Sequence, residues 1–394
     1  MKIGVASFFN PYEFRDILKD NNIPNINRSP STATNLIVRG LLDLGHSVVV
    51  YTETTEVESS IFCGGGLKVY LISNYHKIPW MCCGSIILGR KIYKTIKSSH
   101  EVLDVMHGHW TYQYGYAVSK FAQKYPVFCT VRDWLPAIEK YMNGFTNFIT
   151  WKICRKMIFK NIMNNNNIHL IANSDYIGNC ISKMFPGRQY SIIYNPFSTN
   201  DVVPNVYQKE GEPVFATIAQ NLLDPYKNIS TLLKAFSIVK STYSNAKLIM
   251  IGGINKESDE FKEWKKQSLL SGVEIKGSIE HNGIKDILKE TATLVHPSLE
   301  ESFGNVIIEG ILNSNVVIGG ANSGAVPLLL GGGEFGIILD VRDAKELARQ
   351  MIYSISKEAR KKYVIAAIDN VKKRFDKTVI SKKHEELFLS YVKA

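Results

Sequence analysis

The chain has little of what would set it apart from ordinary globular proteins. No stretch approaches the roughly 18–20 consecutive apolar residues that cross a bilayer, so no membrane-spanning helix is expected. Cysteine is scarce, with 6 in 394 residues (Cys63, Cys82, Cys83, Cys129, Cys154, Cys180), all in the first half and without a Cys-x-x-Cys pair. That spacing indicates neither a zinc knuckle nor a disulfide framework and fits buried free thiols in a reducing cytoplasm. No Gly-x-Gly-x-x-Gly follows the first apolar run, which disfavours a nicotinamide-dinucleotide enzyme. There is no period of the solenoid or propeller kind. Met1-Lys2-Ile3-Gly4-Val5 begins a strand rather than a signal sequence, so a cytoplasmic location is expected. With 45% hydrophobic and 21% charged residues, disorder is excluded.

What is present in excess is positive charge. The 47 Lys and Arg against 36 Asp and Glu give +11, and residues 1–200 carry 21 basic and 12 acidic side chains, +9 of that total. Such a surplus attracts phosphorylated ligands, nucleic acid or an anionic membrane leaflet. A merely basic soluble surface explains it equally well.

Short β-branched runs alternate with amphipathic stretches, first at Ile3–Ala6, Ser47–Tyr51, Leu67–Leu71, Val102–His107, Val127–Val131, Leu170–Ala172 and Ser191–Tyr194, with helical patterns between. The alternation restarts at Val214–Ala219, Ala246–Ile251, Val273–Lys276, Thr293–His296, Val316–Gly319 and Gly336–Leu339. Strand–helix alternation means a parallel sheet with crossover helices. Two doubly wound Rossmann-like α/β domains facing across a cleft are therefore predicted, joined through a polar, Pro-bearing linker near 195–213. The boundaries are 1–198, 199–375, and a last segment 376–394 that returns to the first domain; helical patterns at 343–356 and 378–392 precede and form that segment. In parallel sheets ligands bind beyond the carboxyl ends of the strands, so chemistry-bearing motifs should directly follow strands.

The most informative segment runs His296-Pro297-Ser298-Leu299-Glu300-Glu301-Ser302-Phe303-Gly304-Asn305, with Glu309 further on. A strand leads into a turn carrying Glu301, and a helix starts near Gly304 with Glu309 in its second turn. Backbone N–H groups at Gly304 and Asn305, with the positive end of the helix dipole, suit a phosphate. A carboxylate on either side can accept from sugar or ribose hydroxyls. This Pro-Ser-x-x-Glu-x-Phe-Gly-x-x-x-x-Glu run resembles the Glu-x7-Glu signature of the retaining glycosyltransferases of family 4, which have the two-domain GT-B fold. The resemblance implies that Glu301 contacts the donor sugar, Glu309 the ribose, and the backbone beside Phe303, Gly304 and Asn305 the diphosphate.

Other segments extend the resemblance. Asn221-Leu222-Leu223-Asp224-Pro225-Tyr226-Lys227 follows the first strand of the second domain, and Lys227 matches the family cation that offsets charge on the leaving phosphate. The family's Arg is absent, with Gln220 or Asn221 near its place. Asn322-Ser323-Gly324-Ala325-Val326-Pro327 is similar to the glycine-containing loop that packs on the donor, although Leu328 stands where the family has Glu. In the first domain, alternation puts His107 and His109 on one side of a strand, but no third ligand at useful spacing makes a metal site. The resemblance makes His109 the residue near the transferred sugar and His107, Arg132 and Asp133 acceptor-side candidates; a structural histidine and an Arg132–Asp133 salt bridge are the alternatives. The family's Gly-Gly before its first helix is replaced by Asn27-Arg28-Ser29-Pro30-Ser31. Phe145 to Lys160 mixes aromatics with Lys152, Arg155, Lys156 and Lys160, as an interfacial helix or a crossover helix with a solvated basic face does.

The resemblance thus implies a metal-independent, retaining glycosyltransferase without a cofactor. Its substrate is a nucleotide-diphosphate sugar, UDP- or GDP-linked. Its acceptor is a glycan or lipid-linked hydroxyl in cell-surface polysaccharide synthesis. Because the donor belongs to the nearly neutral second half, the +9 of the first half points separately to an acceptor presented at an anionic membrane surface, with peripheral attachment there. The alternatives are a nucleotide-sugar 2-epimerase of the same fold and a nucleic-acid-binding protein, the latter without any recognised motif, so no nucleic-acid partner is expected. Nothing in the sequence sets the oligomeric state.

Overall fold

The computed structural model describes residues 1–26, 32–74, 84–141, 153–207, 209 and 211–392. Residues 27–31 and the first half (145–152) of the aromatic-basic stretch Phe145 to Lys160 lie outside them. The chain divides into two compact units, one of residues 1–198 with 375–394 and one of residues 199–374.

The first unit is built on an eight-stranded sheet: β1 (Lys2–Ala6), β2 (Ser47–Thr54), β3 (Ser60–Gly64), β4 (Leu67–Ser73), β5 (Val105–His109), β6 (Val127–Val131), β7 (Ile168–Ala172) and β8 (Tyr190–Ile192). Their spatial order is β3-β4-β2-β1-β5-β6-β7-β8. All neighbours are parallel except β3, which pairs antiparallel with β4 through the Gly65-Gly66 turn. Both glycines have positive φ, 50° and 82°, the conformation of a two-residue hairpin turn. The sequence reading assigned no strand to 60–64. It also placed β5 too early: Val102 is 80% exposed, and pairing with β1 begins only at Val105.

Two apolar clusters cover the sheet's faces. One takes the helices Gly84–Ser98, Gln113–Ser119, Lys156–Met163 and Asp175–Met184 through residues such as Ile92, Val118, Phe159 and Ile177. The other takes Thr32–Asp43 and the terminal helix Lys377–Val392, through Ile37, Leu41, Ile380 and Phe388. A Cβ on Gly40 would stand 1.9 Å from Ser381 Oγ, so glycine permits the close approach of these two helices. Lys377 to Asp43 (2.7 Å) and His46 to Glu385 (2.8 Å) tie their ends.

The second unit carries β9 (Val214–Asn221), β10 (Lys247–Gly253), β11 (Val273–Gly277), β12 (Thr293–His296), β13 (Val316–Gly320) and β14 (Ile337–Leu339). They are all parallel, in the order β11-β10-β9-β12-β13-β14. Numbered within the unit this is 3-2-1-4-5-6, the dinucleotide-binding order whose chain reverses direction between the first and fourth strands. The sequence reading left 357–375 without an element, yet Lys357–Phe375 is a 19-residue helix. It buries Tyr363, Val364, Ala367, Ile368, Val371 and Phe375, a spacing of three and four that was legible. The same helix buries Arg360 completely. Its guanidinium donates to the carbonyls of Val206 (2.7 Å), Asn205 (2.7 Å), Ser314 (3.1 Å) and Ala292 (3.3 Å).

Among the described cysteines one departs from the free-thiol expectation. Cys63, Cys129 and Cys180 are free, whereas Cys154 is disulfide-bonded. Pairing depends on Cβ positions in the fold and not on sequence spacing. No described helix is long and apolar enough to cross a membrane.

Candidate active site

In the second unit the loops after β9 and β12 flank the point where the strand order reverses, the first carrying Lys227 and the second Glu301, Phe303 and Gly304. Pro225–Lys227 forms a single 3-10 turn. Asn228 then takes a left-handed conformation (φ 55°) and donates from Nδ2 to the carbonyls of Pro297 (3.2 Å) and Val341 (2.9 Å). Leu299 N donates to Tyr226 O at 2.7 Å, so the β9 and β12 loops are tied through backbone as well. The result is a short ion pair, with Lys227 Nζ 3.2 Å from Glu301 Oε2.

Glu301 is held from two further directions. His296, the last residue of β12 and 2% exposed, places Nε2 3.3 Å from Glu301 Oε2. Ala325 N donates to Glu301 O at 2.9 Å, drawing in the loop after β13. Gly324 makes that approach possible: its φ is +59°, and a Cβ there would lie 2.2 Å from Glu301 O. Burial alone would raise the Glu301 carboxyl, but the Lys227 ammonium and the His296 ring outweigh it and hold the pKa at about 2. The group is therefore ionised at neutral pH.

Gly304, φ 96°, precedes the helix Asn305–Leu312 and gives it no side-chain cap. Phe303 is buried, Asn305 exposed and Glu309 half-buried. Positive φ at Gly304 turns the chain so that the helix begins directly after the Glu301 loop. Asn221 is engaged with its own loop: Nδ2 donates to Asp224 Oδ1 at 2.7 Å, and Oδ1 accepts from Leu223 N at 3.2 Å. It shapes the segment that delivers Lys227.

In the first unit, β5 and β6 pair with His109 opposite Thr130. This brings His107, His109, Arg132 and Asp133 together at their carboxyl ends. Arg132 is buried and donates from Nε (3.1 Å) and Nη2 (2.8 Å) to His109 Nδ1, and from Nη1 to Asn195 Oδ1 at 2.6 Å. Since Nδ1 accepts, the ring proton of neutral His109 belongs on Nε2, which is buried without a hydrogen-bond partner. His107 lies 4.1 Å away, ring to ring, deeper in the sheet. Its Nε2 is 2.7 Å from Thr130 Oγ1, and its ring packs against His384 and Phe388 of the terminal helix, so it sits in the core and not at the surface of the unit. Asp133 accepts from the Tyr112 hydroxyl at 3.2 Å. Burial, the neighbouring rings and Arg132 depress the pKa values of both histidines well below 6.5, and burial lowers Arg132 to about 10. At neutral pH the pair is neutral and the guanidinium charged. Among the described residues no group of three potential ligands could hold a metal.

His296, Asn228 and the Gly324 approach to Glu301 were not foreseen. The His-Pro-Ser run after a strand was the available signal for His296; the other two depend on loop-to-loop distances that spacing does not encode.

Comparison with known proteins agrees with this architecture. Residues 31–201 match the model for Glycosyltransferase Family 4 and residues 203–373 the model for Glycosyl transferases group 1. Among curated proteins, the chain is 21% identical over 311 residues to the phosphatidylinositol N-acetylglucosaminyltransferase GPI3 subunit of Saccharomyces cerevisiae, covering 74% of this chain but only 64% of that protein. It is 24% identical over 327 residues to an uncharacterized glycosyltransferase of Methanocaldococcus jannaschii, with 83% and 84% covered. Similar solved structures include sucrose-phosphate synthase from Thermosynechococcus elongatus, with TM-score 0.75 and 17% identity over 99% of this chain and 98% of that one. Another is Anabaena HepE in complex with UDP and glucose, with TM-score 0.67 and 16% identity over 99% and 100%. With its two halves matched in succession by these two models, the chain belongs to the GT-B glycosyltransferases that resemble family 4.

Proposed function

We propose that the protein transfers a sugar, with retention and without a metal, from a nucleotide-diphosphate sugar to a hydroxyl of a glycan or lipid-linked acceptor. The observation that carries this reading is the Lys227–Glu301 pair beside a helix that starts at Gly304, at the strand-order reversal of a 3-2-1-4-5-6 sheet. A carboxylate, a cation and a helix N-terminus there match the needs of a sugar hydroxyl, a diphosphate and its developing charge. Glu301 accepts from the sugar, Glu309 from the ribose, the Phe303-Gly304-Asn305 backbone and Lys227 bind the diphosphate, and Gly324 lets its loop close on Glu301. Asn221 contributes by shaping the Lys227 loop. UDP is the favoured nucleotide because HepE, of similar fold, binds UDP and glucose.

The first unit takes the acceptor, with His109 as the residue acting on the transferred sugar and Arg132 and Asp133 on the acceptor side; His107 packs beside His109. A lipid acceptor is consistent with the phosphatidylinositol named for the yeast relative. In the reaction the bond from the anomeric carbon to the phosphate oxygen breaks, and the acceptor oxygen bonds on the same face. Its proton passes to the leaving phosphate, with Lys227 and the helix N-terminus stabilising that charge.

Thermal-shift titration with UDP-, GDP-, ADP- and CMP-sugars tests the reading, since a ligand selective for the folded state raises its stability. One nucleotide class should stabilise the protein, and Glu309→Ala and Lys227→Ala should weaken that shift by about tenfold in apparent Kd, in keeping with loss of one charged contact each. No shift with any nucleotide sugar, or wild-type shifts in both variants, overturns the assignment. Turnover of the sugar without any acceptor, giving an epimer, would instead identify a 2-epimerase.

A further inference from the structure

The largest share of the positive surplus in the first unit has a definite place. Segments 84–98, 113–125 and 153–164 contain four, two and three Lys or Arg respectively and no Asp or Glu. Their helices are neighbours: Gly84–Ser98 packs on Gln113–Ser119, and the latter touches Lys156–Met163. Gly89 lets the first two close up, since a Cβ there would stand 2.9 Å from Gln113 O. All three bury their apolar sides in the same cluster on one face of the sheet, so their outer sides form one surface.

On the first helix Arg90, Lys94 and Lys97 recur at intervals of four and three and are exposed, a single stripe headed by Ile87, 41% exposed. Lys120, Lys124 and Lys160 continue the surface on the next two segments, and Met157 (51%) and Ile153 (49%) stand out beside Lys160. None of these six cations forms an ion pair among the described residues. The acids at the surface's border are otherwise engaged: Glu101 by Lys2 and Lys68, Asp104 by the backbone N–H of Lys2, and Glu139 by Lys156.

An uncompensated cationic face costs self-repulsion that an anionic partner removes. Exposed Ile87, Met157 and Ile153 among the cations add a feature that a polyanion in water does not use but a bilayer does, because apolar side chains enter the acyl boundary while lysines stay at the head groups. We propose that this three-helix face is the surface by which the protein docks on a bilayer containing anionic lipid. The inference rests on the surface alone and is independent of the donor site, so vesicle binding and nucleotide-sugar binding are read separately.

Cosedimentation of the full chain with phosphatidylcholine vesicles, with and without phosphatidylglycerol, tests it. Binding should require the anionic lipid and fall with salt. Lys94→Glu/Lys97→Glu should weaken it by roughly 30-fold or more, given the contribution of each cation near such a surface. Lys382→Glu/Lys383→Glu, an equal charge change on the terminal helix at the opposite face of the sheet, should leave binding within about twofold if location and not net charge decides. Ile87→Ser/Met157→Ser should cause a loss that persists at high salt. Equal binding to both vesicle types, equal losses in the two charge-reversed proteins, or retention by double-stranded RNA in place of vesicles would each overturn the proposal. Thermal unfolding of every variant confirms that the exposed substitutions leave the fold intact.

Discussion

Lys227 Nζ and Glu301 Oε2 stand 3.2 Å apart, so the carboxylate proposed to receive the sugar holds the cation proposed to receive the diphosphate. A nucleotide diphosphate must take Lys227 from Glu301, and the sugar hydroxyl then repays the carboxylate with a hydrogen bond. The pair is therefore a competitor for a diphosphate that carries no sugar.

Glu301→Gln should accordingly tighten UDP by about fivefold, the worth of a partly buried pair of ~1 kcal/mol, while slowing transfer. Isothermal titration with UDP, set beside turnover of the sugar donor, checks both. Unchanged or weaker UDP binding would show that the pair does not compete.

The same pair makes stability depend on acid. The folded carboxyl, at about 2, lies below the ordinary 4.5, so its contribution is complete above about pH 4.5 and is lost as pH falls towards 2. Lys227→Met raises the folded pKa and should destabilise the protein at pH 7, with the gap to wild type closing over that window. Denaturant midpoints measured from pH 7 to pH 2.5 decide this; a gap independent of pH would assign the loss to packing.

His107 and His109, with pKa values well below 6.5, and His384, lowered to about 4 by burial, give a second window of the same sign at higher pH. In the unfolded chain these rings take up protons below about pH 6.5 while the folded ones do not, so stability should fall from pH 7 to pH 5. His384→Leu should flatten that slope. Proton NMR of the ring Cε1–H signals should show none of the three titrating between pH 6 and 8 in the folded protein.

Gly324→Ala adds a Cβ that would lie 2.2 Å from Glu301 O at a φ of +59°. It should cost about 1–3 kcal/mol of stability through the clash and strain together, and weaken donor binding in parallel. Gly187→Ala is the control: its φ is +80° with open space around the new atom, so it carries only the backbone penalty. Equal effects in the two would remove the clash from the explanation.

Gly40→Ala should be destabilising by a similar overpacking cost, about 1–3 kcal/mol, because of Ser381 Oγ at 1.9 Å. Ser381→Gly in the same protein should restore most of it, and a double-mutant cycle by urea unfolding measures that coupling.

Much of this protein was legible as pattern. The alternation of apolar runs determined two parallel α/β units, because crossover helices and parallel strands impose a local period on the chain. The His296–Glu309 run determined where a strand ends, a loop carries a carboxylate and a helix begins, since each step depends on near neighbours and on glycine at Gly304. The Gly65-Gly66 hairpin and the helix 357–375 were also written locally, in a glycine pair and in three-and-four spacing.

Contacts between distant segments were decided only in three dimensions. Lys227 meets Glu301, 74 residues on, because β9 and β12 are adjacent in the sheet. Gly324 approaches Glu301 because β13 is next in line. Arg132 locks His109 and Asn195 because β5 and β6 pair in one register, and the acid-free helices become one surface only by packing on a common face. Local periodicity specifies elements; which elements adjoin depends on burying every apolar face at once, and no single segment carries that information.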